Sequence, residues 1–225
     1  MPIVTPITIQ GGIHVADSGA ETFIGAEDGN TLSKTPQQVP GGLTNLVKCN
    51  EISNLLERIA CELVFENSLT GVNATTELAA PASSIGISVP ALETGTGTGL
   101  SLPLKVHLEN PFLGSSCYIG SNAHPIIVEL TTGTTSPPPP NEPITGSPGT
   151  VAFNEAFTII TITGNSVVNN SFVAPKAEGC GGAFSFLIDP IVNSTLGLPS
   201  AAGHNTAILD GTFKLAGAAN VTESE

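Results

Sequence analysis

Leu100-Ser-Leu-Pro-Leu-Lys-Val-His-Leu-Glu109 alternates apolar and polar residues along its whole length. Leu100, Leu102, Leu104, Val106 and Leu108 fall on one side of an extended chain, and Ser101, Pro103, Lys105, His107 and Glu109 on the other. Period two places one face of a strand in a core and the other toward water. Shorter stretches of the same kind recur on both sides of it, separated by Gly, Pro, Ser, Thr and Asn, so that many strands fold back on one another. Strands are expected at Glu62 to Asn67, Thr70 to Leu78, Ser84 to Val89, Ser101 to Glu109, Cys117 to Gly120 and Ile126 to Thr131. Further strands are expected at Thr150 to Phe153, Phe157 to Thr163, Ser166 to Val173 and Ala207 to Leu215.

Two segments carry helical spacing instead. Asn50 is an N-cap candidate ahead of Ile52, Leu55, Leu56 and Ile59. Ala183 to Leu196 places Phe184, Leu187, Ile188, Ile191 and Val192 on one side, with Pro190 in the first turn or at a kink. Gly197 and Pro199 close it. The expected fold class is therefore all-β, an antiparallel β-sandwich or flattened barrel with two short helices.

No fixed-period repeat and no break in composition divides the 225 residues, which are read as a single secreted-type β domain spanning 1–225. Residues 10–42 and 132–149 are its long connections, the first carrying one short strand at Glu21 to Ile24. The second holds Pro137 to Pro140, then Pro143 and Pro148. A proline run is stiff and cannot join a central ladder, so a rigid crossover is favoured over a proline-helix ligand for a partner domain. Residues 1 to 9 read as an extended edge strand, because Pro2 and Pro6 cannot donate to a ladder on both sides.

Composition excludes several classes. A formal net charge of −13 with six Lys plus Arg repels phosphate backbones, so a nucleic-acid partner is not expected. With no Trp and a single Tyr, Tyr118, the chain lacks the exposed rings of a sugar-stacking or base-stacking face. No stretch reaches the roughly 18 apolar residues of a membrane helix, so no membrane insertion is expected. Residues 2 to 12 are not a basic segment followed by a long apolar run, and no signal peptide is read there.

The cysteines are Cys49, Cys61, Cys117 and Cys180, none of them in a C-x-x-C pair. The even number fits two disulfides and an oxidising compartment. Three connectivities exist. Cys117 with Cys180 is preferred because both lie beside Gly- or Ser-rich turns, leaving Cys49 with Cys61. One straight helix between the latter two would hold their Cα atoms roughly 18 Å apart, against less than about 7 Å in a disulfide. Either that helix breaks near Ser53 and Asn54 or the pairing differs.

Catalytic patterns are weak. His107 and Glu109 share a strand face, and Glu129 is a third donor for a zinc or copper site, but no His-x-His or His-x-x-x-His spacing supports it. An outward polar face is the simpler reading. His204 and Asp210 lie near one another without a Gly-x-Ser-x-Gly elbow. Glu62 and Glu66 are read as solvated strand residues rather than a glycosidase pair. The run Gly95 to Gly99 lacks the Gly-Lys-Ser/Thr ending of a phosphate loop. Neither catalytic residues, metal nor cofactor is expected.

Longer phrases carry a resemblance. Leu102-Pro-Leu-Lys-Val-His-Leu-Glu-Asn-Pro-Phe112, Cys117-Tyr-Ile-Gly-Ser121, Thr131-Thr-Gly-Thr-Thr-Ser-Pro-Pro138, Cys180-Gly-Gly182 and Leu198-Pro-Ser-Ala-Ala-Gly-His-Asn205 resemble a group of actinobacterial secreted proteins of unknown function. The resemblance implies export, to the medium or the cell surface, and supports pairing Cys117 with Cys180. It brings no catalytic residues. The expected function is that of a non-enzymatic extracellular or cell-envelope structural protein; the alternative is a β-sandwich binding module for a small apolar ligand or a protein partner.

The apolar segment Ile3 to Ile9, followed by Gly11-Gly12 as a hinge, can pair with its own sheet or with the edge of a second copy. Deleting residues 1 to 12 is therefore expected to lower the mass in light scattering or the melting temperature. An unchanged mass together with unchanged melting would show the segment to be a dispensable tail.

Overall fold

The computed structural model describes residues 5–39, Gly42, Leu55 and residues 71–218. In chain order these form β1 (Gly11–Val15), β2 (Glu21–Gly25), β3 (Gln37–Val39), β4 (Val72–Leu78), β5 (Gly86–Ile87), α1 (Val89–Thr94) and β6 (Leu100–Glu109). There follow β7 (Tyr118–Ile119), β8 (Ile126–Leu130), β9 (Thr150–Phe153), β10 (Ile159–Asn169), β11 (Ala177–Glu178), α2 (Ser185–Leu196) and β12 (Ala207–Ala216). The strand pairs are antiparallel. The expected all-β class with short helices is thus the one adopted.

The chain separates into two compact units, each assembled from distant segments. The first takes residues 1–84, 103–127 and 173–201; the second takes 85–102, 128–172 and 202–225. Because the two sets interleave along the chain, no break in composition marks a boundary between them.

In the first unit the strands run β11-β7-β6-β4-β3. The register places Val106 opposite both Thr76 and Ile119, and His107 opposite Thr75 and Tyr118. Alternation along β6 then sorts the sheet into two faces. Val106 and Leu108 pack with Val72, Ala74, Leu113, Cys117, Ala177, Cys180 and Val192 in the core, while Lys105, His107 and Glu109 take the other side. Pro103 is the departure: it was assigned to the polar face and is buried.

The Cys117–Cys180 disulfide is formed, and both residues are 0% exposed. Helix α2 is fastened beside it by polar side chains. The Asp189 carboxylate accepts backbone N–H bonds from Gly179 at 3.2 Å and Cys180 at 2.7 Å. Asn193 acts as a strand partner for Ala177, accepting its N–H at 2.7 Å and donating to its carbonyl at 2.8 Å. Only Val192 of the helix is buried, with Ile188 packed against the core. Pro190 sits in the helix interior rather than the first turn, on the exposed side. Phe184, Leu187 and Ile191, expected on the packed side with Ile188 and Val192, remain exposed.

Residues 10–42 are more than a connection. They hold the β1–β2 hairpin and β3, with Glu21–Gly25 where one strand was expected. The hairpin escaped notice because glycine obscures its alternation. Gly11 is required there, since a Cβ would strike the Ile24 carbonyl and the Phe23 ring. The N-terminal segment bridges within the same unit: Ile9 pairs with Leu32, and Gln37 bonds both the N–H and the carbonyl of Thr5.

In the second unit the strands run β12-β10-β9. β10 joins two expected strands into one, with a bulge between Thr163 and Asn165 in place of the turn. The expected strand Ser84 to Val89 stops at Ile87. Ser88 caps α1, accepting the Ala91 N–H, and Pro90 could not have donated to a ladder. The proline connection is pinned by asparagines. Asn141 donates to the carbonyls of Asn170 and Asn205, both at 2.9 Å, and Asn170 donates to that of Glu142 at 2.7 Å. Gly203 admits the proline run because a Cβ would meet the carbonyls of Pro138 and Pro139.

The helix expected behind Asn50, the strand Glu62 to Asn67 and the pair Cys49–Cys61 lie outside the described residues, apart from Leu55.

Closing a loop across a sequence separation of 63 removes chain entropy from the unfolded state, worth about 4 kcal/mol. The double variant Cys117→Ala, Cys180→Ala is expected to lose stability on that scale in urea denaturation. A loss below about 1 kcal/mol would show that the Asp189 and Asn193 anchors hold α2 without the bond.

Candidate functional site

The polar face of the first unit gathers the chemistry-bearing side chains of β4, β6 and β7. Alternation sends Lys105, His107 and Glu109 to this face, and the register brings Tyr118 alongside. The His107 and Tyr118 rings stack with centroids 4.5 Å apart and planes 12° from parallel. Lys105 Nζ lies 4.9 Å from the Tyr118 ring centre, within cation–π range. The same ammonium approaches Glu77 at 3.6 Å and donates to Asn122 at 3.1 Å. Glu109 accepts a hydrogen bond from Thr75 at 2.8 Å and lies 3.7 Å from His107 Nδ1. His107 Nε2 is buried with no partner among the described residues.

Burial, then the nearby charges of Glu77 and Glu109, raise the Tyr118 phenol above its usual 10.0. Each disfavours the phenolate. A shallow, open depression of about 340 Å³ adjoins this cluster, lined by Lys105, Ser116, Tyr118, Asn122 and Glu178 among others. Its charged groups already have partners within the protein.

The sequence candidates distribute as follows. His107 and Glu109 do meet, whereas Glu129 belongs to the second unit, where its carbonyl accepts a bond from Asn169. Among the described residues no group of three or more His, Cys, Asp or Glu is placed to hold a metal ion. His204 and Asp210 are both exposed, one in a loop and one on β12. Gly95 to Gly99 caps α1 and turns into β6. Glu62 and Glu66 lie outside the described residues. His14 on β1 and His124 in a turn are exposed.

The second unit holds a surface that single-strand reading missed. The register sets Val151 opposite Ile162 and Ile162 opposite Phe213; Phe153 faces Ile160, which faces Leu215. Directly opposed residues share a face. At this end of the three-stranded sheet one side is therefore apolar, while farther along β10 the same side carries Asn165 and Asn169; the other side carries Thr150, Ala152, Thr161, Thr163, Thr212 and Lys214 together with Ile159 and Ile208. None of the six apolar residues is buried, and Val151 and Phe153 are more than half exposed. Each alternation was legible alone; only the register shows that they converge.

The β9–β10 turn adds a seventh residue. Asn154 organises it, accepting the N–H groups of Thr158 and Ile159 through its side chain. Phe157 then takes φ 55°, is 77% exposed and lays its ring 5.8 Å from that of Phe153. Every other positive φ belongs to glycine among the described residues. Holding a side chain in this left-handed conformation costs roughly 1–2 kcal/mol, a cost that glycine or asparagine would reduce. The turn geometry does not call for phenylalanine; the exposed apolar face does.

Compared with protein-family models, curated proteins and solved structures, the chain matches none.

Tyr118 is the only tyrosine, and with no tryptophan present near-ultraviolet absorbance reports its ionisation alone. Its titration is expected above 10.0, and Glu77→Gln should move it downward. The folded state then holds the phenol proton more tightly than the unfolded state, so stability falls as pH rises through the folded value. A midpoint at or below 10.0 in the folded protein would contradict the burial described.

Proposed function

We propose that this chain is a non-enzymatic extracellular or cell-envelope structural protein that works by presenting contact surfaces to other protein. The observation that carries the reading is the apolar cluster at one end of the β9-β10-β12 sheet, on which Val151, Phe153 and Phe157 are more than half exposed. Contiguous exposed apolar patches of this kind mark interaction sites. The Cys117–Cys180 bond fits an oxidising compartment, and the resemblance to exported actinobacterial proteins points the same way. No helix among the described residues is long and apolar enough to cross a membrane.

The alternative, a binding module, draws support in its protein-partner form. Phe186, Leu187 and Ile191 of α2 and Phe184 at its N-cap are exposed to solvent, a second apolar surface in the first unit. The shallow polar depression beside Tyr118 gives less support to a small apolar ligand, which calls for an enclosed apolar cavity.

Fractionating the source cells and detecting the chain with antibody, with intact mass after alkylation in the absence of reductant, tests the reading. Recovery in the medium or envelope, with Cys117 and Cys180 unlabelled, is the expected result. A cytoplasmic pool with labelled thiols would overturn it.

A further inference from the structure

We infer that the apolar face of the β9-β10-β12 sheet is covered by the same face of a second copy, related by a two-fold axis. This inference deepens the proposed function by naming the occupant of that surface, and it rests on that reading. A sheet with one apolar face must bury it against another layer. Two such sheets pack about 10 Å apart with their inner side chains interdigitated. A two-fold pairing needs a patch complementary to itself, and a layer of branched aliphatic and phenylalanine side chains meets that requirement.

Charge selects this surface for contact between like molecules. At a formal −13, two copies repel over most of their surface. The stretch from Thr145 to Asn154, which includes all of β9, carries no charge, and neither does any residue of the apolar face. Lys214, on the same sheet, lies on the opposite side, across from Thr161. The side chains of the face carry no charge, so pairing through them buries no ionised group; Glu155, in the turn beside Phe157, is exposed and is the carboxylate that borders the face.

The available area agrees. At about 200 Å² per phenylalanine, the exposed parts of Phe153 and Phe157 offer roughly 260 Å². Val151 adds its exposed half, and Ile160, Ile162, Phe213 and Leu215, each covered over most of its surface, add smaller strips, so that each copy brings roughly 500 Å². A symmetric pair then buries about 1,000 Å², where specific interfaces begin. Phe157 supports the same conclusion: held on a left-handed backbone, its ring is mostly exposed and tilted against that of Phe153, so that it enlarges this face.

Sedimentation equilibrium of the full oxidised chain over a wide concentration range tests the inference. The natural protein should show twice the monomer mass. Phe157→Asn, which removes the ring while suiting the left-handed backbone, should shift the association constant toward monomer by tenfold or more without lowering the melting temperature. Phe153→Ser should act likewise, and Thr161→Ser on the opposite face should leave the mass doubled. A natural protein that stays monomeric, or a dimer unaffected by both phenylalanine substitutions, overturns the inference. A monomer that cross-links to a different protein in the source culture would overturn it while sparing the proposed function. A Phe157-dependent dimer recovered from the cytoplasm would keep this contact and remove the extracellular reading.

Discussion

The Cys117–Cys180 bond lies at the centre of the first unit's core, and the surrounding structure is arranged around it. Cys117 leads into β7 and Cys180 follows β11, so the covalent link joins the two ends of adjacent paired strands. Asp189 accepts the N–H of Cys180 itself, and Asn193 bonds Ala177 three residues earlier. One bond therefore fixes a sheet edge and, through two polar side chains, the helix beside it. A chain with few large aromatic residues and 25 glycines has a high unfolded-state entropy to overcome. A cross-link is an effective remedy, because it acts on that entropy and needs little additional buried area.

Asparagine does comparable work in the second unit. Asn169 and Asn170 are buried; Asn170 donates to the Glu142 carbonyl of the proline-rich connection, Asn141 within that connection donates to the carbonyls of Asn170 and Asn205, and Asn169 donates to the Glu129 carbonyl of β8. A loop can follow a protein closely only if its backbone polar groups find partners. Prolines lack an N–H, so the carbonyls are the groups to be matched, and the amide side chain supplies two donors from one position. Asn193 in the first unit acts in the same way, its side-chain amide donating to the carbonyls of Ala177 and Asp189.

The polar and apolar surfaces contrast in how fully they are satisfied. On the β4-β6-β7 face, Lys105, Glu77, Glu109 and Thr75 are matched to one another, and the Tyr118 ring is held between Lys105 and His107. The β9-β10-β12 face has the reverse character, with large apolar side chains aligned across three strands and Val151, Phe153 and Phe157 more than half exposed.

Alternation by itself determined a good deal. The pattern of β6 and the half-exposed alternation of β12 were readable because a strand's two faces meet different surroundings, and that difference is written at every second residue; the four-residue β9 alternates as well, although it is exposed on both faces. The pairing of Cys117 with Cys180 was also anticipated, from local turns and from a resemblance rather than from distance. Which alternations share a face was decided by tertiary structure, since register is a relation between strands and appears in neither one. The same holds for α2. Its apolar residues lie around much of the helix, so periodicity suggested Phe184, Leu187 and Ile191 for the core. The polar anchors Asp189 and Asn193 instead turned Ile188 and Val192 inward. Phe157 is the clearest limit: in the sequence it is one more apolar residue in an expected strand. Only the folded turn places it at a positive φ with its ring in solvent, because backbone conformation at a turn depends on the strands that the turn must join.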